Sequence, residues 1–226
     1  MEQRISDNEI HGADDMMKKG LLKISVDEND DKLDQFEEQQ KLINQKIAYE
    51  NYKKSGVPAK FFESSIKTFI PENDEEMQII RTIAGFIGKP ANRVLIMYGN
   101  HGCGKSHLGC AIIRECGGAY ILSSKLCVEW EAAISYHAKR TRMEILEHYS
   151  RIEMLVIDEC GKYMLNSDLE KFLLSSIICE RYENNLPTVL ITNESKKDFV
   201  EFLGLTAYDR LREVCTTLCF EGESKR

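Results

Sequence analysis

Apolar positions follow three different rules along this chain, and the rule changes mark its organisation. Residues 1–31 show no sustained periodicity and include the acidic run Asp27-Glu28-Asn29-Asp30-Asp31, so they read as mostly flexible. From Leu33 a pattern starts: Leu33, Phe36, Gln40, Ile43 and Ile47 are spaced 3, 4, 3 and 4. That is a helix with one narrow apolar stripe. It covers about two heptads, fewer than a coiled coil needs. Such a helix either folds onto its own domain or receives a partner. Ser55-Gly56-Val57-Pro58 breaks it.

Lys60 to Ile70 is a mixed aromatic lead-in, and Pro71-Glu72-Asn73-Asp74-Glu75-Glu76 opens a second helix with acids in its first turn. Ile79, Ile80, Ile83, Ala84 and Ile87 form its apolar face, up to a Gly88-Lys89-Pro90 stop. Beyond that point short continuous apolar runs alternate with helical stretches. Val94–Tyr98, Ala119–Ser123, Met154–Asp158, Thr188–Thr192 and Thr216–Glu221 read as strands. Helices are expected at Lys105 to about Glu115, Lys125–His137, Arg142–Tyr149, Leu169–Glu183 and Ala207–Arg212. Apolar strands separated by helices predict an α/β fold with a parallel sheet covered on both faces.

Composition sets limits around this picture. The 226 residues suit one domain with a sizeable core plus an extension, or two small domains. With 42% apolar and 30% charged residues the chain reads as globular. No apolar run approaches membrane-spanning length, and the first residues lack a signal-peptide core, so a cytoplasmic protein with no membrane contact is expected. The net charge of −7 is uneven: residues 1–50 hold 13 acids and 7 bases, or −6, which leaves −1 for the remainder. The acidity therefore belongs to the extension and does not speak against nucleic-acid contacts elsewhere. The eight cysteines form no C-x-x-C pair and several lie in apolar runs, which reads as reduced core thiols.

Two segments carry chemistry. Gly99-Asn100-His101-Gly102-Cys103-Gly104-Lys105-Ser106 follows an apolar strand and opens a helix. The pattern G-x-x-x-x-G-K-S in that setting is a phosphate-binding loop for a nucleoside triphosphate, here ATP. Its glycines let main-chain amides face phosphate oxygens, and the helix adds its positive end. Lys105 is expected at the β- and γ-phosphates, Ser106 on Mg2+, with His107 next in the loop-to-helix run. The second segment, Leu155-Val156-Ile157-Asp158-Glu159, is an apolar strand ending in two carboxylates. Asp158 is expected to hold the magnesium and Glu159 to act as general base on the attacking water. Asn193 closes the next strand after Thr192 and is placed to orient that water.

From about Gly56 to Gly222 the chain resembles the AAA+ ATPases of the DnaC/IstB group, bacterial helicase loaders and transposition helpers. The resemblance rests on SGVPAKFF at 55–62, GNHGCGKSHL, LVIDECG, ICERYEN before LPTVLITN, and Tyr208-Asp209-Arg210-Leu211-Arg212-Glu213. It implies an AAA+ P-loop NTPase core with a five-stranded parallel sheet, without the C-terminal helical lid of other AAA+ proteins. It implies domains at 1–54, an extension with a partner-binding helix, and 55–226, the ATPase. Asn193 then corresponds to the sensor residue. Arg210 corresponds to the arginine finger that completes a neighbour's site, with Arg212 as the fallback, so a homo-oligomer on DNA is implied. The two helices between the second and third strands match the group's single-stranded DNA element. Lys139, Arg140 and Arg142 are then the phosphate contacts, with Lys125 nearby. Trp130, Tyr136 and His137 are expected to be core or flank.

Three functions compete. The first is a loader that binds single-stranded DNA and a replicative DNA helicase. The second is an IstB-type helper acting on duplex DNA with a transposase. The third is an ATP-dependent interaction module without turnover, against which Glu159 argues. The short acidic extension departs from loaders that carry a zinc-type cysteine cluster.

Overall fold

The computed structural model describes residues 26–88, 93–163 and 165–225. The flexible reading of 1–25 and the Lys89-Pro90 part of the helix stop lie outside them. The chain divides into two compact units, residues 1–48 and 49–226.

Helix α1 runs Val26–Lys54. It starts seven residues before the expected Leu33 and takes in the acidic run that the sequence assigned to a flexible segment. Helix growth is cooperative, and the Gln- and Glu-rich stretch behind that run supplies a nucleus that it extends. Phe36, Ile43 and Ile47 are exposed on α1.

In the larger unit, β1 (Val94–Gly99), β2 (Ala119–Leu122), β3 (Leu155–Cys160), β4 (Thr188–Thr192) and β5 (Cys215–Phe220) form one sheet in the order β2-β3-β4-β1-β5. Every pairing is parallel. Successive strand residues face opposite sides and both sides are apolar. Leu95, Met97, Val156, Val189 and Ile191 pack with α2 (Asp74–Gly88) and α3 (Lys105–Cys116) on one face. Ile96, Ile121, Leu155, Ile157 and Leu190 pack with the remaining helices on the other. Those are α4 (Ser123–Ala132), α5 (Arg142–Arg151), α6 (Ser167–Glu183), α7 (Lys196–Leu203) and α8 (Leu205–Val214).

Helix α4 ends at Ala132, not near His137. Ile134 and Ser135 are weaker helix formers than the residues before them, and residues 133–138 turn instead. The Thr141–Glu144 capping box then starts α5. Among the described residues no helix is long and apolar enough to cross a membrane, and all eight cysteines are free thiols.

Two local devices set the frame. Gly56 has φ +90° and a methyl there would meet Tyr120 O at 2.2 Å, so only glycine lets the lead-in cross the start of β2. Ser55 O accepts from Tyr120 N at 2.8 Å in the same crossing. At the same end of the sheet, where β3 and β4 begin, Arg181 is 1% exposed and donates to Thr188 Oγ1 and to four carbonyls: Tyr149, Ile152, Glu153 and Pro187. It ties the end of α5, the start of β3 and the start of β4 to α6. Burial pushes its guanidinium down to about 10.

Candidate functional site

In a parallel sheet the carboxyl ends of the strands open a crevice, and here β1, β3 and β4 deliver their polar tips into one. Gly99 ends β1 with φ +124°, and Gly102 and Gly104 have φ +85° and +88°. These angles wrap the loop around to α3. Gly104 is the N-cap of α3 and offers no side chain to its amides, which leaves them for an anion. Lys105 is buried, and its ammonium donates to Gly99 O at 2.8 Å and Asn100 O at 2.6 Å. The lysine is thereby held over the loop it follows.

Asp158 is 2% exposed at the carboxyl end of β3. One of its oxygens accepts from the Tyr120 hydroxyl and the other from Glu159 N at 2.7 Å. Burial first, then the Asp158 charge, push the Tyr120 hydroxyl far above its usual value, so it stays a donor. The β3–β4 register shifts between Ile157 and Cys160, and Glu159 sits in that bulge with φ +57°. A bulge re-aims a side chain, and a non-glycine residue in this conformation costs about 1–3 kcal/mol. The outcome is a buried Asp158 beside an exposed Glu159.

The backbone just past Glu159 is fixed by a residue that sequence reasoning missed. Glu170 is 1% exposed and accepts from Ser123 Oγ at 2.5 Å, Gly161 N at 2.8 Å and Tyr163 N at 2.9 Å. In the sequence it looks like an ordinary first-turn acid of α6, and nothing local marks it as buried.

His101, Gly102, Gly104, Lys105, Ser106, His107, Asp158, Glu159 and Asn193 all line one cleft of about 440 Å³. Phe61, Thr68, Phe69, Ile70, Glu72 and Lys225 complete its walls. The lead-in segment thus forms a side of the site, which its sequence did not announce. His107 is held there by Ser64 Oγ at 3.2 Å, Thr68 Oγ1 at 3.1 Å and Ser65 O at 3.1 Å. Cys103 is buried, with its thiol donating to Gly222 O at 2.8 Å. Asn100 pairs with the chain after β5 through Phe220 O and Glu221 O.

This geometry is that of a P-loop nucleotide site, and comparison with known proteins agrees. Residues 57–226 match the family of IstB-like ATP binding proteins. The chain belongs to that family. It is 27% identical over 166 residues to an insertion sequence IS21 ATP-binding protein of Pseudomonas aeruginosa, covering 70% of this chain and 61% of that protein. The chain therefore spans less than two thirds of that curated relative. Its fold superposes on the crystal structure of the DnaC helicase loader with a TM-score of 0.62 at 23% identity, over 73% of this chain and 100% of that one. For the DnaI structure the TM-score is 0.57 at 18% identity, over 72% and 93%. An ATP-binding family and a five-stranded parallel α/β fold are thus established for this chain.

The remaining sequence candidates lie away from the cleft. Arg210 is on α8, 3.8 Å from Glu183 Oε1, and donates to Thr206 O at 3.4 Å. Lys139 and Arg140 are exposed between α4 and α5 and border a second hollow with Glu129 and Ile145. Arg142 stands 5.2 Å over the Trp130 ring and donates to Trp130 O at 3.3 Å. Trp130 packs against the core as expected, whereas Tyr136 is 98% exposed.

Proposed function

We propose that this chain hydrolyses ATP as a DnaC-like helicase loader, with residues 55–226 as the ATPase and 1–54 as an acidic extension that grips a replicative helicase. The observation that carries hydrolysis is the convergence of the phosphate loop, Asp158, Glu159 and Asn193 on one cleft. A binder alone has no use for the strained Glu159.

In this reading the amides of the loop and Lys105 hold the polyphosphate. Glu159, exposed on the bulge, takes the proton from the attacking water at its carboxylate, and Asn193 orients that water. Glu170 keeps the loop behind Glu159 in place. The residues fit a magnesium ion: the Ser106 hydroxyl and the Asp158 carboxylate are hard oxygen donors, and each Asp158 oxygen accepts one hydrogen bond, which leaves lone pairs for a cation. Among the described residues no group of three or more acidic, His or Cys side chains could hold a metal ion by itself. Phosphate and water would supply the other ligands, as magnesium prefers. When bound, the ion neutralises developing phosphate charge.

The loader reading draws on the likeness to the DnaC helicase loader and on the exposed stripe of α1, which suits helix-in-groove docking. Lys139, Arg140 and Arg142 supply the cations for single-stranded DNA. A second reading is favoured by the curated relative of IS21 origin: a transposition helper that shares this ATPase but acts on duplex DNA. Size-exclusion chromatography with light scattering, run on the chain with its host's replicative helicase and ATP, separates the two. A joint complex that is lost on deleting residues 1–50 is the loader outcome. No complex, with tight duplex DNA binding instead, is the helper outcome.

A further inference from the structure

The end of β5 and the segment after it strap the phosphate loop. Asn100 N donates to Phe220 O at 2.9 Å, Asn100 Nδ2 to Glu221 O at 3.3 Å, and Lys225 N to Gly102 O at 3.1 Å. The Cys103 thiol reaches Gly222 O at 2.8 Å. A methyl on Gly102 would stand 2.2 Å from Ser224 Oγ, so strap and loop touch closely. The strap's main chain is thereby fixed beside the anion cradle, and its Lys225 side chain lies in the cleft wall.

Lys225 Nζ donates to Glu76 Oε2 at 2.8 Å and to Ile70 O at 3.1 Å, and pairs with Glu72 at 3.3 Å. It also stands 4.9 Å from the centre of the Phe69 ring. That ring covers the loop: a methyl on Gly104 would meet it at 2.4 Å. The Glu76 side chain is 8% exposed. Burial alone would raise its carboxyl, but Lys225 and the Glu72 amide overcome this and hold it below the usual range.

We propose that Lys225 exchanges its Glu76 and Glu72 carboxylates for the polyphosphate of ATP, acting as a second nucleotide cation beside Lys105. The inference rests on the ATP-binding reading of the cleft and adds a residue outside the loop motif. The cleft also presents Glu72, Asp158 and Glu159, so a polyanion entering there meets like charge. Lys225 is the group that can answer it. Its backbone is anchored at Gly102, while its flexible four-carbon stem can turn between the carboxylates and the cradle. The exchange has a consequence at α2. Glu76 also accepts from Glu72 N at 2.8 Å, so release of Lys225 loosens the first turn of that helix and the Phe69 wall.

The test titrates the full chain with fluorescent ATP and with AMP, for wild type, Lys225→Met, Lys225→Arg and Glu76→Gln, with thermal melting as the check on folding. Lys225→Met should weaken ATP by about tenfold, the scale of one charged hydrogen bond. AMP, which lacks the β- and γ-phosphates, should change by less than about twofold by the same reasoning. Lys225→Arg should recover most of the ATP affinity, and Glu76→Gln should leave it unchanged or tighter. Unaltered ATP binding in a folded Lys225→Met overturns the proposal. So does equal loss of ATP and AMP, which would make Lys225 a prop for the wall. If Glu76→Gln loses as much ATP affinity as Lys225→Met, the pair persists in the bound state and exchange is excluded. Should Lys225→Met fail to fold, Lys225→Arg and Glu76→Gln decide: weaker ATP binding by Glu76→Gln overturns the exchange. Wild type that binds no ATP refutes the cleft reading itself, a different failure from wild type and Lys225→Met binding alike.

Discussion

Single residues decide whether this cleft turns ATP over. Glu159 is held at φ +57° in a bulge, exposed, next to a buried Asp158 whose oxygens are engaged by Tyr120 and the Glu159 amide. In the proposed hydrolysis Glu159 would take the proton and Asp158 would carry the fixed charge. Glu159→Gln keeps the shape and removes the base, so turnover should fall by about 10² to 10⁴ while ATP affinity stays within a few-fold. Phosphate release and nucleotide titration on one preparation check this; undiminished turnover removes Glu159 from the base role. Arg181 matters in a different way, since its five acceptors include no carboxylate. Arg181→Met strands four carbonyls at the junction of α5, β3 and β4. Denaturant unfolding should show a loss of about 3–5 kcal/mol, as for broken buried polar clusters.

At the scale of elements, the α4–α5 connection is the candidate DNA surface. Lys139, Arg140 and Arg142 are exposed on it, although Arg142 leans on Trp130. Reversing all three charges should weaken single-stranded DNA binding at every sequence and flatten its salt dependence by about two units of log-log slope. Fluorescence anisotropy across a salt series measures both; an unchanged slope takes these residues off the DNA path. The five strands were legible because apolar runs between helices have few other uses, and their limits moved by only one or two residues. The phosphate loop and Asp158-Glu159 were legible because their chemistry tolerates few spellings. Helix α7 was not read, although Ser195 caps it by accepting from Asp198 N at 3.2 Å. Eight residues give too short a pattern to stand out. Tyr120, Glu170 and Lys225 were illegible for another reason: Asp158, Ser123 and Glu76, which hold them, lie 38, 47 and 149 positions away.

For the whole molecule, the decisive arrangement is what the cleft of one chain leaves out. Its described lining residues include the lysines Lys105 and Lys225 and no arginine. Arg210 stands on α8 and pairs with Glu183, which ends α6 just before β4 begins. That is the end of the sheet opposite the strand tips that carry the phosphate loop. Arg210 is 33% exposed there, available to a neighbour and remote from its own site. If it completes an adjoining subunit's cleft, hydrolysis is a property of the assembly. Arg210→Ala should then bind ATP normally and lose turnover by about 10³, the lower range for an arginine finger. Lys105→Ala should lose ATP binding yet keep its own arginine to offer. Mixing the two inactive variants on single-stranded DNA should restore turnover, because an Arg210→Ala cleft beside a Lys105→Ala neighbour has every part it needs. Recovery that rises and falls with the mixing ratio, peaking between the pure variants, is the signature of a residue acting in trans. Full activity of Arg210→Ala alone, or no recovery at any ratio, would place the arginine outside the site and leave each chain to hydrolyse ATP by itself.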